Sequence, residues 1–250
     1  MSRELFLTSS PFDEPERILN PANQFVEKLT DSLRNAKKAL FIASAPDDIA
    51  ETEGFAREVR ETLERSGIIF EEYNILDSRN GGKAKTLVAN SELIVLAGGH
   101  VPTQNKFFET IKLRELMAEY EGVVMGISAG TMNSADVVYA QPELDGESVD
   151  ETYEKFLTGL NLTKYRILPH YQYTKNLMLD GKRLFEDITY GDSYGQVFYA
   201  LPDGSYLHAK DGVEKICGEA YLIKDGTCVQ ICEKGEELTE RLMDCKSGEN

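Results

Sequence analysis

The chain has 250 residues, 41% hydrophobic and 28% charged, with 27 Lys and Arg against 43 Asp and Glu for a formal net charge of −16. These proportions suit one soluble α/β domain over 1–250 and exclude a disordered, collagen-like or coiled-coil chain. Such an acidic surface repels phosphate backbones and anionic headgroups, so neither nucleic acid nor a membrane is an expected partner, and no apolar run approaches the roughly 20 residues of a bilayer span.

In chain order, residues 5–8 read as a strand closed by Ser9-Ser10-Pro11. The segment from Met1 to Leu7 lacks a long apolar stretch and a cleavage site. It reads as a first strand, not a secretory signal, and the cytoplasm is the expected location. Residues 23–36 carry Phe25, Leu29 and Leu33 at helical spacing. Residues 39–43 form a continuous apolar run, as in a strand covered on both faces. A helix over 49–65, stopped by Gly67, a strand over 68–75 and a short helix over 83–90 follow. Another buried strand, 93–97, ends in Gly98-Gly99. A helix over 106–120 and a third apolar strand over 123–127 complete the alternation. Strand and helix at this pitch predict βαβ units and a doubly wound, mostly parallel sheet in a three-layer, flavodoxin-like arrangement.

The last third changes texture. Strands are expected at 197–200, 205–208, 219–223 and 227–231, with the turn pairs Asp203-Gly204, Asp211-Gly212 and Asp225-Gly226 between them. That pattern predicts an antiparallel hairpin extension over about 196–234 within the same domain. A C-terminal helix is expected near 236–245. The cysteines, Cys217, Cys228, Cys232 and Cys245, have no ligand-knuckle spacing and read as ordinary thiols of a reducing compartment.

In an open α/β sheet, ligands sit at the carboxyl ends of the strands. Two such ends stand out: Leu96-Ala97-Gly98-Gly99-His100 and Gly126-Ile127-Ser128-Ala129-Gly130. Gly126-x-Ser128-x-Gly130 fits a nucleophile elbow. There the serine occupies a strained strand-to-helix turn, and small neighbours let other backbone pass close by. The motif directly follows a buried strand and precedes a helical stretch, which is the context it requires. The N–H groups of Ala129 and Gly99 would then form an oxyanion hole, supported by the helix N-terminus behind the serine.

These residues, with Leu168-Pro169-His170, resemble peptidase family S51, the aspartyl dipeptidase (peptidase E) and cyanophycinase group. Motif-level likeness runs from about 93 to 183. The resemblance implies a class I glutamine amidotransferase-like fold and a serine peptidase. Three scattered histidines without H-x-x-E-H-type spacing offer no metal site, and no cofactor is expected. The resemblance departs at His100, where dipeptidase members usually carry a small polar residue. A glutaminase would need a cysteine at the elbow. The interval of 42 residues from Ser128 to His170 is short for an α/β-hydrolase.

A serine nucleophile needs a base, and the base needs an orienting acid. His208 reads as structural. His100 and His170 both lie at carboxyl edges, and the resemblance points to His170, leaving His100 to the pocket. For the acid, Asp136, Glu143, Asp145, Glu147, Asp150, Glu151 and Glu154 lie between Ser128 and His170. The resemblance favours Glu143 by its distance from the serine.

The reading is a dipeptidase or small-peptide exopeptidase for peptides with an acidic residue, using Ser128, His170 and Glu143. The rivals are a cyanophycinase-like hydrolase of β-linked aspartyl peptides and a catalytically idle binding protein with the same crevice. His100, Thr103 and Gln104 are expected to line the substrate pocket. The resemblance adds Arg183, on an expected helix over 176–188, as a partner for a substrate carboxylate. The expected partner is a small peptide, and the chain is expected to be a monomer or homodimer.

Overall fold

Residues 3–13 and 16–239 are described by the computed structural model of the chain. The principal strands are β1 (Glu4–Thr8), β2 (Lys38–Ile42), β3 (Glu72–Leu76), β4 (Leu93–Leu96), β5 (Val123–Ile127), β6 (Ile167–Leu168), β7 (Val197–Ala200), β8 (Tyr206–Lys210), β9 (Val213–Cys217), β10 (Ala220–Lys224), β11 (Thr227–Cys232) and β12 (Glu237–Thr239). The helices used below are α1 (Phe25–Ser32), α2 (Ile49–Arg65), α3 (Ala84–Ala89), α4 (Val101–Thr110), α5 (Leu113–Ala118) and α6 (Ala129–Met132).

Eight strands form the central sheet in the order β12-β9-β8-β1-β5-β4-β2-β3. From β1 to β3 every pairing is parallel. On the other side of β1, strands β8, β9 and β12 run antiparallel. The apolar runs of β2, β4 and β5 lack alternation because both of their faces are covered. On one face Leu40, Ile42, Ile94, Leu96 and Val124 pack with Ala84 and Val88 of α3, Phe107 and Phe108 of α4, and Leu113 and Met117 of α5. On the other, Phe41, Val95 and Met125 pack with Phe25 and Leu29 of α1 and with Ala56, Val59 and Leu63 of α2. A second sheet, in the order β6-β7-β10-β11, stands beside the first.

Several elements differ from the sequence reading. The helix expected over 106–120 is two helices, α4 and α5. α4 starts earlier, at Val101, because Pro102 suits a first helical turn. The two are separated at Lys112, whose φ of 54° is left-handed. The strand expected over 68–75 begins only at Glu72. In place of a helix over 176–188, Met178–Leu179 pairs antiparallel with Lys182–Arg183, followed by a π-helix at Leu184–Thr189. The cause is local: Asp180-Gly181 adopts two successive positive φ angles, 51° and 79°, a hairpin turn that no helix accommodates. Glu237–Thr239, expected to open a helix, is strand β12 on β9. Residues 240–245 of that expected helix lie outside the described residues. β9 had no counterpart in the sequence reading.

The three Asp-Gly pairs of the expected hairpin extension also diverge. Asp211-Gly212 (φ 51° and 77°) and Asp225-Gly226 (48° and 78°) join β8 to β9 and β10 to β11 as tight hairpins. Asp203-Gly204 does not close a hairpin. It carries the chain from β7 in the second sheet to β8 in the first. That crossing turn lies at the carboxyl ends of β1 and β5, where the site is built.

Candidate active site

β5 delivers Ser128 to the carboxyl edge of the sheet. Ser128 has φ 49° and ψ −107°, a conformation that costs an L-residue about 1–3 kcal/mol and persists only where the surroundings enforce it. The enforcement comes from the end of β1. The Ser128 N–H is shared between the carbonyls of Thr8 and Ser9, at 3.2 Å each. The Thr8 hydroxyl donates to the Gly126 carbonyl at 2.7 Å, and the Thr131 hydroxyl donates to the Thr8 carbonyl at 2.7 Å.

Both motif glycines are explained by close approach. A Cβ on Gly126 would lie 2.8 Å from the Thr131 hydroxyl and 3.0 Å from its Cα. A Cβ on Gly130 would lie 2.2 Å from the Leu96 carbonyl oxygen. The helix that follows, α6, is a single turn. It presents the Ala129 backbone at its start and, at four residues, brings little axial dipole.

His170 follows β6 and sits in the left-handed region, at φ 58° and ψ 31°. Its Nε2 is 2.9 Å from the Ser128 hydroxyl, and its Nδ1 is 2.8 Å from Asp203 Oδ1. The Nδ1–H donates to the carboxylate, which leaves Nε2 as the acceptor for the serine proton. Ser9 ties the two partners together. It accepts the His170 N–H at 2.7 Å and donates its hydroxyl to Asp203 at 2.7 Å. The Asp203 N–H donates to Gln172 Oε1 at 3.0 Å. Burial pushes the Asp203 carboxyl up. Hydrogen bonding to His170 and Ser9, the attraction of the imidazole and contact with Gln172 outweigh it and hold the group below its usual range. The His170 and Asp203 side chains are 33% and 24% exposed, so the pair is open to a substrate on one side.

The carboxylate that orients His170 is therefore Asp203 and not Glu143. Glu143 makes no hydrogen bond to His170 among the described residues, and its Oε1 accepts the Val101 N–H at 3.0 Å. It is accessible to solvent, yet protein surrounds it closely enough that burial raises its carboxyl. The Val101 bond and the fields of His100 and His170 act in the opposite direction.

His100 bridges Thr103 through Nδ1 and Glu147 through Nε2, both at 2.7 Å. Glu147 in turn accepts the N–H groups of Glu143, at 2.9 Å, and Leu144, at 3.0 Å. Thr103 is exposed beside His100. Gln104 was expected in the pocket but is fully buried. It donates to the Ala97 carbonyl at 2.7 Å and accepts from Asn133 at 3.0 Å, so it braces the strand end instead. Arg183 pairs with Asp187 at 2.6 Å on an exposed surface, and that carboxylate occupies its guanidinium.

Gly99 has a φ of 146°, and a Cβ there would lie 2.4 Å from the Ser44 hydroxyl oxygen. Only glycine fits that turn. The adjacent Gly98 lies against the nucleophile, since a Cβ on it would be 3.5 Å from Ser128 Cβ. The Ser44 hydroxyl donates to the Gly98 carbonyl and pins the turn. The Gly99 N–H makes no hydrogen bond to any described residue.

Asp203 escaped the sequence reading because the acid was sought between Ser128 and His170. No signal near either residue in the chain singles it out: Asp203 lies 33 residues beyond His170, and only the pairing of β6 with β7 brings its turn alongside the imidazole. Among the described residues, no group of three His, Cys, Asp or Glu side chains is arranged to hold a metal ion, and no helix is long and apolar enough to cross a membrane.

The geometry is that of a mixed α/β protein in which a hydroxyl, an imidazole and a carboxylate are hydrogen-bonded in series at the edge of a mostly parallel sheet. The chain belongs to peptidase family S51, whose model matches residues 5–217, and it is a serine-type peptidase. Among solved structures, it is similar to a peptidase from an acI-B1 Actinobacterium, at 19% identity and a TM-score of 0.62, covering 96% of this chain and 97% of that one. It is also similar to a putative peptidase E protein from Listeria monocytogenes EGD-e, at 21% identity and a TM-score of 0.54, covering 93% and 99%. At these identities the likeness concerns the fold. No curated protein matches the sequence.

Proposed function

We propose that the protein hydrolyses small peptides through an acyl-enzyme on Ser128, with His170 as general base and acid and Asp203 as the orienting carboxylate. The observation that carries this reading is the continuous chain Ser128 Oγ, His170 Nε2, His170 Nδ1, Asp203 Oδ1, with links of 2.9 and 2.8 Å. As Ser128 Oγ bonds to the scissile carbonyl carbon, its proton passes to Nε2. The carbonyl π pair moves onto oxygen, which accepts hydrogen bonds from the N–H groups of Gly99 and Ala129. Collapse expels the amine, which takes the proton from Nε2. A water then repeats the sequence on the ester and releases the acid product. Asp203 stays ionised throughout and stabilises the imidazolium.

Action on a short peptide is what the family resemblance implies. Selectivity for an acidic side chain, which the family resemblance implies, would require a cation in the crevice. Arg183, the residue expected to provide one, is held by Asp187 instead.

A fluorophosphonate probe tests the reading. It should label the wild-type protein and leave Ser128→Ala unlabelled, and a dipeptide library should then give Ser128-dependent turnover. A wild-type protein that neither labels nor cleaves any member of the library would favour a binding protein that uses the same crevice.

A further inference from the structure

We propose that Ser9 is a positioning residue of the catalytic series: its side chain sets the orientation of Asp203 toward His170, and its backbone holds the strained turn of Ser128. The proposal rests on the hydrolase reading above and gives a part in turnover to a residue buried away from substrate.

Ser9 is the first residue after β1 and is fully buried. It bonds to all three members of the series, which come from three separate segments of the chain. Its carbonyl shares the Ser128 N–H with that of Thr8, at 3.2 Å. Its hydroxyl oxygen accepts the His170 N–H at 2.7 Å, and its hydroxyl proton goes to Asp203 Oδ1 at 2.7 Å. Its own N–H donates at 3.2 Å to the carbonyl of Ser205, two residues past Asp203. That bond continues the register in which Thr8 faces Tyr206, so the central sheet itself sets Ser9 against the turn that carries the acid.

The partners dictate the direction of the hydroxyl. An amide N–H can only donate, so the Ser9 oxygen is the acceptor toward His170, and its single proton is left for the carboxylate. An ionised carboxylate can only accept, which matches. The atom that accepts is Oδ1, the same oxygen that takes His170 Nδ1 at 2.8 Å. Two donors on one oxygen fix its position more tightly than the imidazole alone. The same hydroxyl also anchors the base through its backbone. His170 has φ 58° and ψ 31°, a region sparsely used by residues with a Cβ, and its N–H is satisfied by Ser9. Ser9 Oγ, Asp203 Oδ1, His170 Nδ1 and the His170 backbone thus close a ring, in which the acid and the base cannot shift independently.

The test measures hydrolysis of an activated acyl ester and the rate of fluorophosphonate capture in wild type, Ser9→Ala, Asp203→Ala and the double variant, with Tm recorded for each. Ser9→Ala should lower kcat by about tenfold to a hundredfold, the range for a lost hydrogen bond to a charged group and for a displaced reacting group. KM should change less than about threefold, since Ser9 touches no substrate, and capture should slow in step with kcat. Once Asp203→Ala has removed the carboxylate, adding Ser9→Ala should cost less than about threefold, because groups that act as a unit do not lose activity additively. Ser9→Cys keeps nearly the same size with only a weak S–H donor and should fall between wild type and Ser9→Ala. Ser9→Ala activity within threefold of wild type would overturn the proposal. So would equal fractional losses from Ser9→Ala with and without the Asp203 carboxylate, because Ser9 would then act through the fold. Where Ser9→Ala does not fold, Ser9→Cys is read in its place, and a wild-type kcat in that variant overturns the proposal equally. If wild type hydrolyses no ester and captures no probe, the hydrolase reading itself fails, and the positioning role fails with it.

Discussion

Asp203→Asn is the substitution that most directly probes the catalytic series. The asparagine keeps the side-chain volume and can still accept from Ser9, so the crossing turn between β7 and β8 should survive. It removes the negative charge 2.8 Å from His170 Nδ1. A unit charge about 4 Å from the centre of a developing imidazolium contributes about 4 kcal/mol at an effective dielectric of 20. Losing that slows the chemical step by roughly 10³-fold. If the amide turns its NH₂ toward Nδ1, the ring takes the tautomer with Nε2–H and cannot accept the Ser128 proton, and the loss approaches the ~10⁴ known for the equivalent change in another triad.

The assay is kcat/KM on an activated acyl ester, alongside Glu143→Gln. Asp203→Asn should lose 10³- to 10⁴-fold, and Glu143→Gln should change little, because Asp203 and Ser128 take both nitrogens of His170 and Glu143 bonds to Val101 instead. Retention of activity within fivefold by Asp203→Asn, together with a hundredfold loss in Glu143→Gln, would refute the reasoning and return the orienting role to Glu143. Stability provides an independent reading. The depressed Asp203 carboxyl contributes stability that is fully present above the usual carboxylate value of about 3.9 and is lost as pH falls through its lower folded value. The Tm advantage of wild type over Asp203→Asn at neutral pH should therefore close in acid.

Ser128→Ala should abolish turnover with Tm nearly unchanged, and activity within threefold of wild type would remove Ser128 from the nucleophile role. Gly130→Ala should cost at least about 3 kcal/mol or prevent folding, because its Cβ would meet the Leu96 carbonyl, which is backbone and cannot step aside. A denaturation midpoint close to wild type would contradict that contact. His208 is held below its ordinary value by burial, which outweighs its bond to Glu4. Its contribution to stability is present above about pH 6.5 and lost as pH falls through the folded value. His208→Gln should flatten the fall in Tm between pH 7.5 and 5, and an unchanged slope would exclude His208 as its source.

What the sequence determined by itself is whatever depends on near neighbours in the chain. Unbroken apolar runs at β2, β4 and β5 announce strands buried on both faces, since no alternation is needed where neither face meets water. Gly126-x-Ser128-x-Gly130 announces the elbow, because the strain at Ser128 and the contacts that forbid a Cβ arise from a few consecutive residues and the strands beside them. Local reading failed where two local signals compete. A helix is expected over 176–188, and the Asp180-Gly181 turn overrides it. The Phe107 and Phe108 spacing ran on across Lys112, where the backbone turns left-handed and starts a new helix. Tertiary structure alone decided which carboxylate meets His170. Glu143 and Asp203 are both acidic residues near turns, and no spacing rule separates them. Strand pairing does: β6 pairs with β7, which brings the turn after β7 alongside His170, and β8 then leaves that turn to pair with β1, whose end holds Ser9 and Ser128 in place. The loop of Glu143 is drawn instead to the start of α4, where Val101 bonds to Glu143 and His100 to Glu147.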